Sequence, residues 1–200
     1  MHVVWTGERV RLRPVASAAE YTETDNQLME LPNDYWGPHW RPLDERQQEY
    51  EGTGVIDPGW YSIYAIERLD TGELIGLEEH GPIRPGRLRT WLGTHLLGPH
   101  QRQGFGIEAK QLMLCALFEN YPLELVYAIT TSNHRPSRRG LERSGFYLEG
   151  RKRGMWIADG LRVDEVFYAI TREQWEQLPI RKLVKRGAAL SAASTGASDG

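Results

Sequence analysis

The sequence predicts an α+β domain in three layers, with one mixed, mostly antiparallel sheet of seven strands flanked by helices. Three observations predict it. Segments with period-2 alternation recur along the chain, and segments of helical period separate them. Their order is strand, two helices, three strands, helix, strand, helix, two strands. Residues 1–178 show no internal repeat and no break, so the 200-residue chain builds a single domain around one core. Residues 179–200 read as a C-terminal extension, disordered from about 187, where Ala, Ser, Gly and Thr leave little to bury.

Each element has a local reason. Residues 8–14 alternate strictly, with Val10 and Leu12 on one face and Arg9, Arg11 and Arg13 on the other. Ser17 and Glu20 have capping-box spacing and start a helix that runs to about Leu31, where Pro32 stops it. Residues 32–43 form a loop rich in Pro, Gly and aromatics. Asp44 with Gln47 suggests a second cap and a short helix to about Thr53. Residues 60–68 and 73–81 form a hairpin across Asp70-Thr71-Gly72, and residues 87–97 follow the Pro85-Gly86 turn as a fourth strand. After a glycine-rich loop at 98–106 comes a helix with Ile107, Leu114, Leu117, Phe118 and Tyr121 on one broad face. Residues 125–131 are a nearly continuous apolar run, expected as a central strand. A helix with Pro136 in its first turn stops near Gly145. Residues 146–157 and 161–170 close the sheet as a hairpin across Asp159-Gly160.

Bulk composition excludes several classes. Lys+Arg number 24 against 27 Asp+Glu, a net charge of -3, which argues against a general nucleic-acid binder. No apolar run reaches the roughly 20 residues that span a bilayer, and no signal peptide is visible. The single Cys115 excludes an intrachain disulfide and a thiolate metal cluster, and no metal is expected. The expected setting is cytoplasmic. The charge is unevenly divided: positions 1–80 hold 16 acidic and six basic residues, while the rest of the chain is net positive. Such a split hints at two partners of opposite sign.

The loop carries the chemistry. A strand, a glycine-rich turn and a helix make a pyrophosphate site, because the first helical amides are unpaired and partly positive. Gly104 and Gly106 let the backbone approach phosphates with no Cβ in the way. A Walker loop is excluded by the absence of Gly-Lys-Ser/Thr. A dinucleotide fingerprint is excluded by Ala109 at its third glycine.

Gln101-x-x-Gly104-x-Gly106, between a strand and a helix midway along the chain, resembles motif A of the GNAT superfamily of acyl-CoA-dependent N-acetyltransferases. The resemblance covers roughly residues 7–171. Residues 7–14 are similar to the opening strand of its Rim-type branch, the ribosomal-protein-alanine-acetyltransferase-like proteins. Residues 92–96 resemble that branch's fourth strand, and residues 137–146 its later helix, followed by Glu149-Gly150, Asp159-Gly160 and Asp164. Two positions depart from the pattern. His134 stands where the branch has an asparagine, with Asn133 one place early. Leu141 stands where many relatives carry an acidic tyrosine.

The resemblance implies a sheet splayed between its fourth and fifth strands, with acetyl-CoA as co-substrate. It implies direct attack of a neutral amine on the thioester in a ternary complex. The pantetheine arm would lie along His95, Leu96 and Leu97, and the amide near Leu96 would serve as oxyanion donor. The pyrophosphate would sit on Gln101, Arg102, Gln103, Gly104, Phe105 and Gly106. Asn133, His134, Ser137, Arg138 and Arg139 would complete the CoA site. Glu78, His80 and His95 are the candidates for the base, and Ser137 the contact to sulfur. Tyr35, Trp36 and Trp40 would wall the acceptor, a small-molecule amine or a protein N-terminus; a homodimer is possible in such proteins. A module that only binds or senses acyl-CoA, and a transferase of a larger acyl group such as succinyl, are the competing expectations.

Overall fold

The computed structural model describes residues 3–31, 43–158 and 160–188. Strand β1 (Val3–Thr6) leads into β2 (Val10–Pro14), where the expected alternation sorts the side chains. Val10 and Leu12 enter the main core. Arg11 and Arg13 lie on the other face, where both pair with the buried Glu67, and Arg13 also meets Glu20 at 2.6 Å. These pairs tie β2 and β4 (Tyr61–Arg68) to helix α1 (Ala18–Met29). Ser17 caps α1 by accepting from Glu20 N at 3.1 Å, but the capping box is not reciprocal: the Glu20 carboxylate takes Ala16 N instead, at 2.6 Å.

The remaining elements follow in order. They are α2 (Leu43–Thr53), β3 (Ile56–Asp57), β4, β5 (Leu74–His80), β6 (Arg89–Leu96), α3 (Phe105–Asn120), β7 (Leu125–Thr131), α4 (Arg135–Arg143), β8 (Tyr147–Ala158), β9 (Leu161–Thr171), α5 (Arg172–Glu176) and β10 (Lys185–Ala188). Among the described residues the strands form one sheet in the order β10-β1-β2-β4-β5-β6-β7-β9-β8, with β3 beside β4. Every pairing is antiparallel except β6 with β7. The seven expected strands are present; β1, β3 and β10 are additions. Packing also runs past the expected domain end at 178. Ile180 is buried in the main core, and β10 pairs with β1.

Helix α3 lies on one face of the sheet over the main core. Its buried side chains Phe105, Ala109, Leu112, Met113, Leu114, Cys115, Leu117 and Phe118 run nearly all round it, so Ile107 is left at the rim of the expected face. Arg172 closes its far end, donating to Phe118 O, Tyr121 O and Leu123 O at 2.8–2.9 Å. Those carbonyls have no helical partner of their own. Helices α1 and α2 cover the opposite face over a smaller core of Val15, Tyr21, Val55, Ile63, Ala65 and Leu77. No described helix is long and apolar enough to cross a membrane.

A bulge at Ile66/Glu67 shifts the register of β4 against β5 and decides which side chains of β5 face which core. Ile75 joins the main core while Leu77 joins the smaller one. The strands close up around Gly76, where a Cβ would lie 2.1 Å from His95 O. Gly76→Ala is therefore expected to force β5 from β6 and destabilise the fold by about 1–3 kcal/mol, as overpacking does. Thermal unfolding measures it, and an unchanged melting temperature would show that the strands have slack there.

Candidate functional site

The site begins where two strands part. β6 pairs with β5 from His80↔Leu92 to Gly76↔Leu96, but with β7 only over Arg89↔Leu125, Thr90↔Val126 and Trp91↔Tyr127. From Leu92 onward β6 has no paired strand on that side among the described residues. Main-chain groups alternate sides along a strand. Gly81 N donates to Trp91 O at 3.0 Å and Leu97 N to Ile75 O at 2.9 Å, so the odd-numbered residues of β6 face β5. Leu92, Thr94 and Leu96 thus turn their N–H and C=O groups into the gap. Gln101 Nε2 reaches back to Leu96 O at 2.9 Å and fixes the strand's end.

The glycine-rich loop lies at the open end of this gap. A one-turn 3-10 helix (Gly98–His100) is followed by Arg102 and Gly104, both in the left-handed region, with φ 61 and 91. Gly104 is the N-cap of α3, and the first amide turned back into the helix is Ile107 N, to Gly104 O at 3.1 Å. Among the described residues the N–H groups of 102–106 donate to no backbone carbonyl. They form the N-terminal end of a 16-residue helix, where free amides and the helix dipole suit an anion. A Cβ at Gly104 would meet only Arg9 Nη1, at 3.4 Å, so this surface is open to a ligand.

Two residues with no loop role in the sequence reading hold the loop in shape. Arg9 donates to Gln103 O at 2.9 Å and lies over the buried Phe105 ring, 4.2 Å from its centroid. Glu108 accepts from Glu8 N at 2.6 Å and Arg9 N at 2.9 Å, pinning the β1–β2 turn to α3. The signal for Glu108 was its place in the first turn of the helix. The signal for Arg9 is non-local and was not readable.

The three base candidates part company in the structure. Glu78 is 0 % exposed on the α3 face, and neither carboxylate oxygen meets a hydrogen-bond donor among the described residues. Burial raises its pKa, a rise that Lys110, Thr94 and His95 only partly offset. His80, 2 % exposed, joins Nδ1 to Gly81 O at 2.8 Å and stacks on Tyr64. Burial lowers its pKa, so it is a neutral packing residue and not an accessible base. His95 lies on the opposite face, toward the α1–α2 layer. Its side chain is 52 % exposed.

Glu79, which shares the face of Leu77, is the partner of His95. Its Oε1 lies 3.1 Å from His95 Nε2, and Tyr61 OH donates to its Oε2. Gly93 leaves the room, since a Cβ there would strike Glu79 Oε1 at 2.4 Å. Desolvation opposes charge on His95, but the charge and hydrogen bond of Glu79 outweigh it and raise the imidazole pKa. Glu79, His95 and Tyr61 thus form a linked set on the side of the sheet away from α3.

The remaining expected residues are spread around the entrance of α4. Ser137 is partly buried on α4 and Asn133 is exposed before it. His134 precedes the helix with Nδ1 3.4 Å from Thr130 Oγ1; desolvation and then Lys110 push its pKa down to about 4. Arg138 is already engaged, with Ser132 O at 3.0 Å and Tyr168 OH at 3.2 Å, so it braces α4 against β9 where a phosphate contact was expected. Arg139 is exposed. Leu141 is buried in the main core. Tyr35, Trp36 and Trp40 lie outside the described residues. No cluster of three or more His, Cys, Asp or Glu suited to a metal occurs among the described residues.

Residues 9–147 match the family model described as acetyltransferase (GNAT) domain. A Bacillus subtilis protein described as the uncharacterized N-acetyltransferase YoaA is 28% identical over 109 residues, 54% of this chain and 62% of that protein. The match thus spans less than two thirds of that relative's length. Mycobacterium smegmatis RimJ, solved in complex with CoA-disulfide, superposes with TM-score 0.71 at 20% identity, over 92% of this chain and 96% of RimJ. A chimeric spermidine N-acetyltransferase SpeG, from Vibrio cholerae and hSSAT, superposes with TM-score 0.73 at 18% identity, over 86% of this chain and all (100%) of that one. The two structures share the fold, and the family model covers more than half of the sequence: the chain belongs to the GNAT acetyltransferase family.

Proposed function

We propose that the protein is an acetyl-CoA-dependent N-acetyltransferase acting on a primary amine, of a small molecule or of a protein N-terminus, in a ternary complex. One observation carries the reading. The unpaired edge of β6 runs directly into the unpaired amides of residues 102–106, giving an amide-lined groove that ends in a site for pyrophosphate. An extended pantetheine arm can pair with the edge as an added strand does. The phosphates then meet the loop amides and the exposed Arg102. Gly104 and Gly106, Gln101 and Gln103 shape this surface, and Leu96 N is the donor aimed where oxyanion charge develops.

His95 supplies the base. A protonated amine has no free electron pair, so it must lose a proton before attack. His95 is open to the side from which an acceptor can approach, and Glu79 orients its ring. Tyr35, Trp36 and Trp40, which follow α1 in the sequence, are the proposed acceptor wall. Homodimerisation and a cytoplasmic setting remain part of this reading, supported by the family resemblance alone.

The pH dependence has a definite sign. His95 acts only when neutral, so kcat/KM falls as pH drops through its raised pKa. Glu79→Gln removes the partner that raises it. The acid limb of the kcat/KM profile is therefore expected to move to lower pH in the variant. A limb that stays in place would remove His95 as the group it reports. Release of CoA thiol from acetyl-CoA across a panel of primary amines tests the activity itself. Binding of acetyl-CoA by calorimetry with no amine-dependent thiol release would favour a module that binds or senses acyl-CoA. Faster release from succinyl-CoA would favour a larger acyl group.

A further inference from the structure

Five elements bring polar side chains to one place under the first turns of α3. β5 contributes Glu78, β6 Thr94, α3 Lys110, β7 Thr130 and the α4 entrance His134. A Cβ on Gly106 of α3 would sit 3.6 Å from Thr94 Cγ2, which places Thr94 directly beneath the helix start. Lys110 is one turn further along and reaches back to Gly106 O at 3.3 Å. The cluster therefore lies on the α3 side of the β6–β7 gap, at the end of the groove that leads from the pyrophosphate loop.

Its hydrogen bonding is incomplete. Both carboxylate oxygens of Glu78 are buried, and the neighbouring Thr94 hydroxyl makes no close hydrogen bond to either of them. Glu78 and Lys110 face each other but do not close into an ion pair. Buried polar atoms are almost always paired, so a buried carboxylate and hydroxyl left without close partners mark a place where a ligand's polar atom can be received. A buried carboxylate beside an ammonium also keeps the cation in place where burial alone favours losing its charge.

We propose that Lys110, held over the gap by Glu78, is the proton donor to the departing sulfur of CoA; this rests on the transferase reading above. The acceptor nitrogen bonds to the acyl carbon, and the carbon–sulfur bond breaks with its electron pair left on sulfur. Lys110 gives sulfur one ammonium proton, yielding the free CoA thiol and a neutral lysine. The surplus proton on the new amide nitrogen leaves to solvent, since His95 already holds the proton of the incoming ammonium. As products depart, His95 releases that proton to solvent and Lys110 regains one from it. Leu141 and Arg138, on the helix beside the cluster, supply no proton there: one is buried in the core, and the other is bound to Ser132 O and Tyr168 OH. The titratable groups in charge interaction with Lys110 are Glu78 from β5 and His134 from the α4 entrance on the same side, and His95 of β6 through the sheet.

The role predicts a distinctive pH response. Lys110 donates only while protonated, and burial lowers its pKa against the opposing charge of Glu78. The kcat profile therefore has an alkaline limb. Glu78→Gln removes the charge that supports the cation, so the limb moves to lower pH. Lys110→Arg keeps a cation in place but cannot give up a proton. It should lower kcat by about 100-fold, the scale of a general acid, abolish the alkaline limb, and leave acetyl-CoA affinity and melting temperature near wild type. The experiment measures kcat against pH for wild type, K110R and E78Q, with acetyl-CoA titrations and melting curves of each. A K110R kcat within about threefold of wild type, or an alkaline limb unmoved in E78Q, overturns the role of Lys110 alone. A wild-type protein that neither binds acetyl-CoA nor releases thiol overturns the transferase reading and this proposal together.

Discussion

Replacing His95 by glutamine is expected to lower kcat/KM by 10²–10⁴-fold, about 3–5 kcal/mol of barrier, while acetyl-CoA affinity stays close to wild type. The asymmetry follows from where the two halves of the residue point. Its main chain pairs with β5, and its half-exposed side chain points to the face away from α3. Glutamine preserves the strand and can still hydrogen-bond Glu79, so neither fold nor groove is disturbed. What it lacks is a nitrogen that takes a proton near neutral pH. The acid limb of the profile should vanish along with the rate. A variant that keeps its rate and its limb would place the base elsewhere.

Gly104→Glu is expected to weaken acetyl-CoA binding by at least about 100-fold, about 2.8 kcal/mol. Two effects act at this position and a second variant separates them. Any side chain must adopt φ 91 here, which costs about 1–2 kcal/mol of stability. Gly104→Ala carries that cost alone, since a Cβ has room beside Arg9. The glutamate adds a negative group among the amides of residues 102–106, where the phosphates would bind. Calorimetric titration should show modest weakening for G104A and near loss for G104E. Equal affinity in both would mean that the phosphates bind elsewhere.

The parts of this molecule that were legible in sequence are those set by local rules. Period-2 alternation located β2, turn residues located the β8–β9 hairpin, and the glycine loop located the head of α3. What escaped was decided by distant partners. β1 and β10 are short, and each is stabilised by the other end of the chain. The bulge at Ile66/Glu67 is a property of two strands, so alternation along β5 alone cannot report it. Alternation did place Glu79 on the face of Leu77, but that face opens beside His95, where a carboxylate is useful rather than misplaced. Lys110 carried a faint signal, a lone cation on a helix whose neighbours are mostly apolar. Glu78 was singled out for its charge, yet its burial and its missing partners only emerge once α3 is laid over it. The uneven charge of the chain hinted at two partners of opposite sign. In the structure Glu20 and Glu67 are spent on Arg11 and Arg13, and Asp70 on Arg68, so only some of its charge is available for steering.

The central claim is that acyl-CoA lies along the unpaired edge of β6 with its pyrophosphate on the head of α3. Amide hydrogen exchange with and without acetyl-CoA tests it residue by residue, because bound ligand atoms take over free N–H groups. The account predicts slowed exchange at Leu96 and at residues 102–106, and little change along β8 and β9. Binding of acetyl-CoA that left those amides exchanging at their free rates would contradict it.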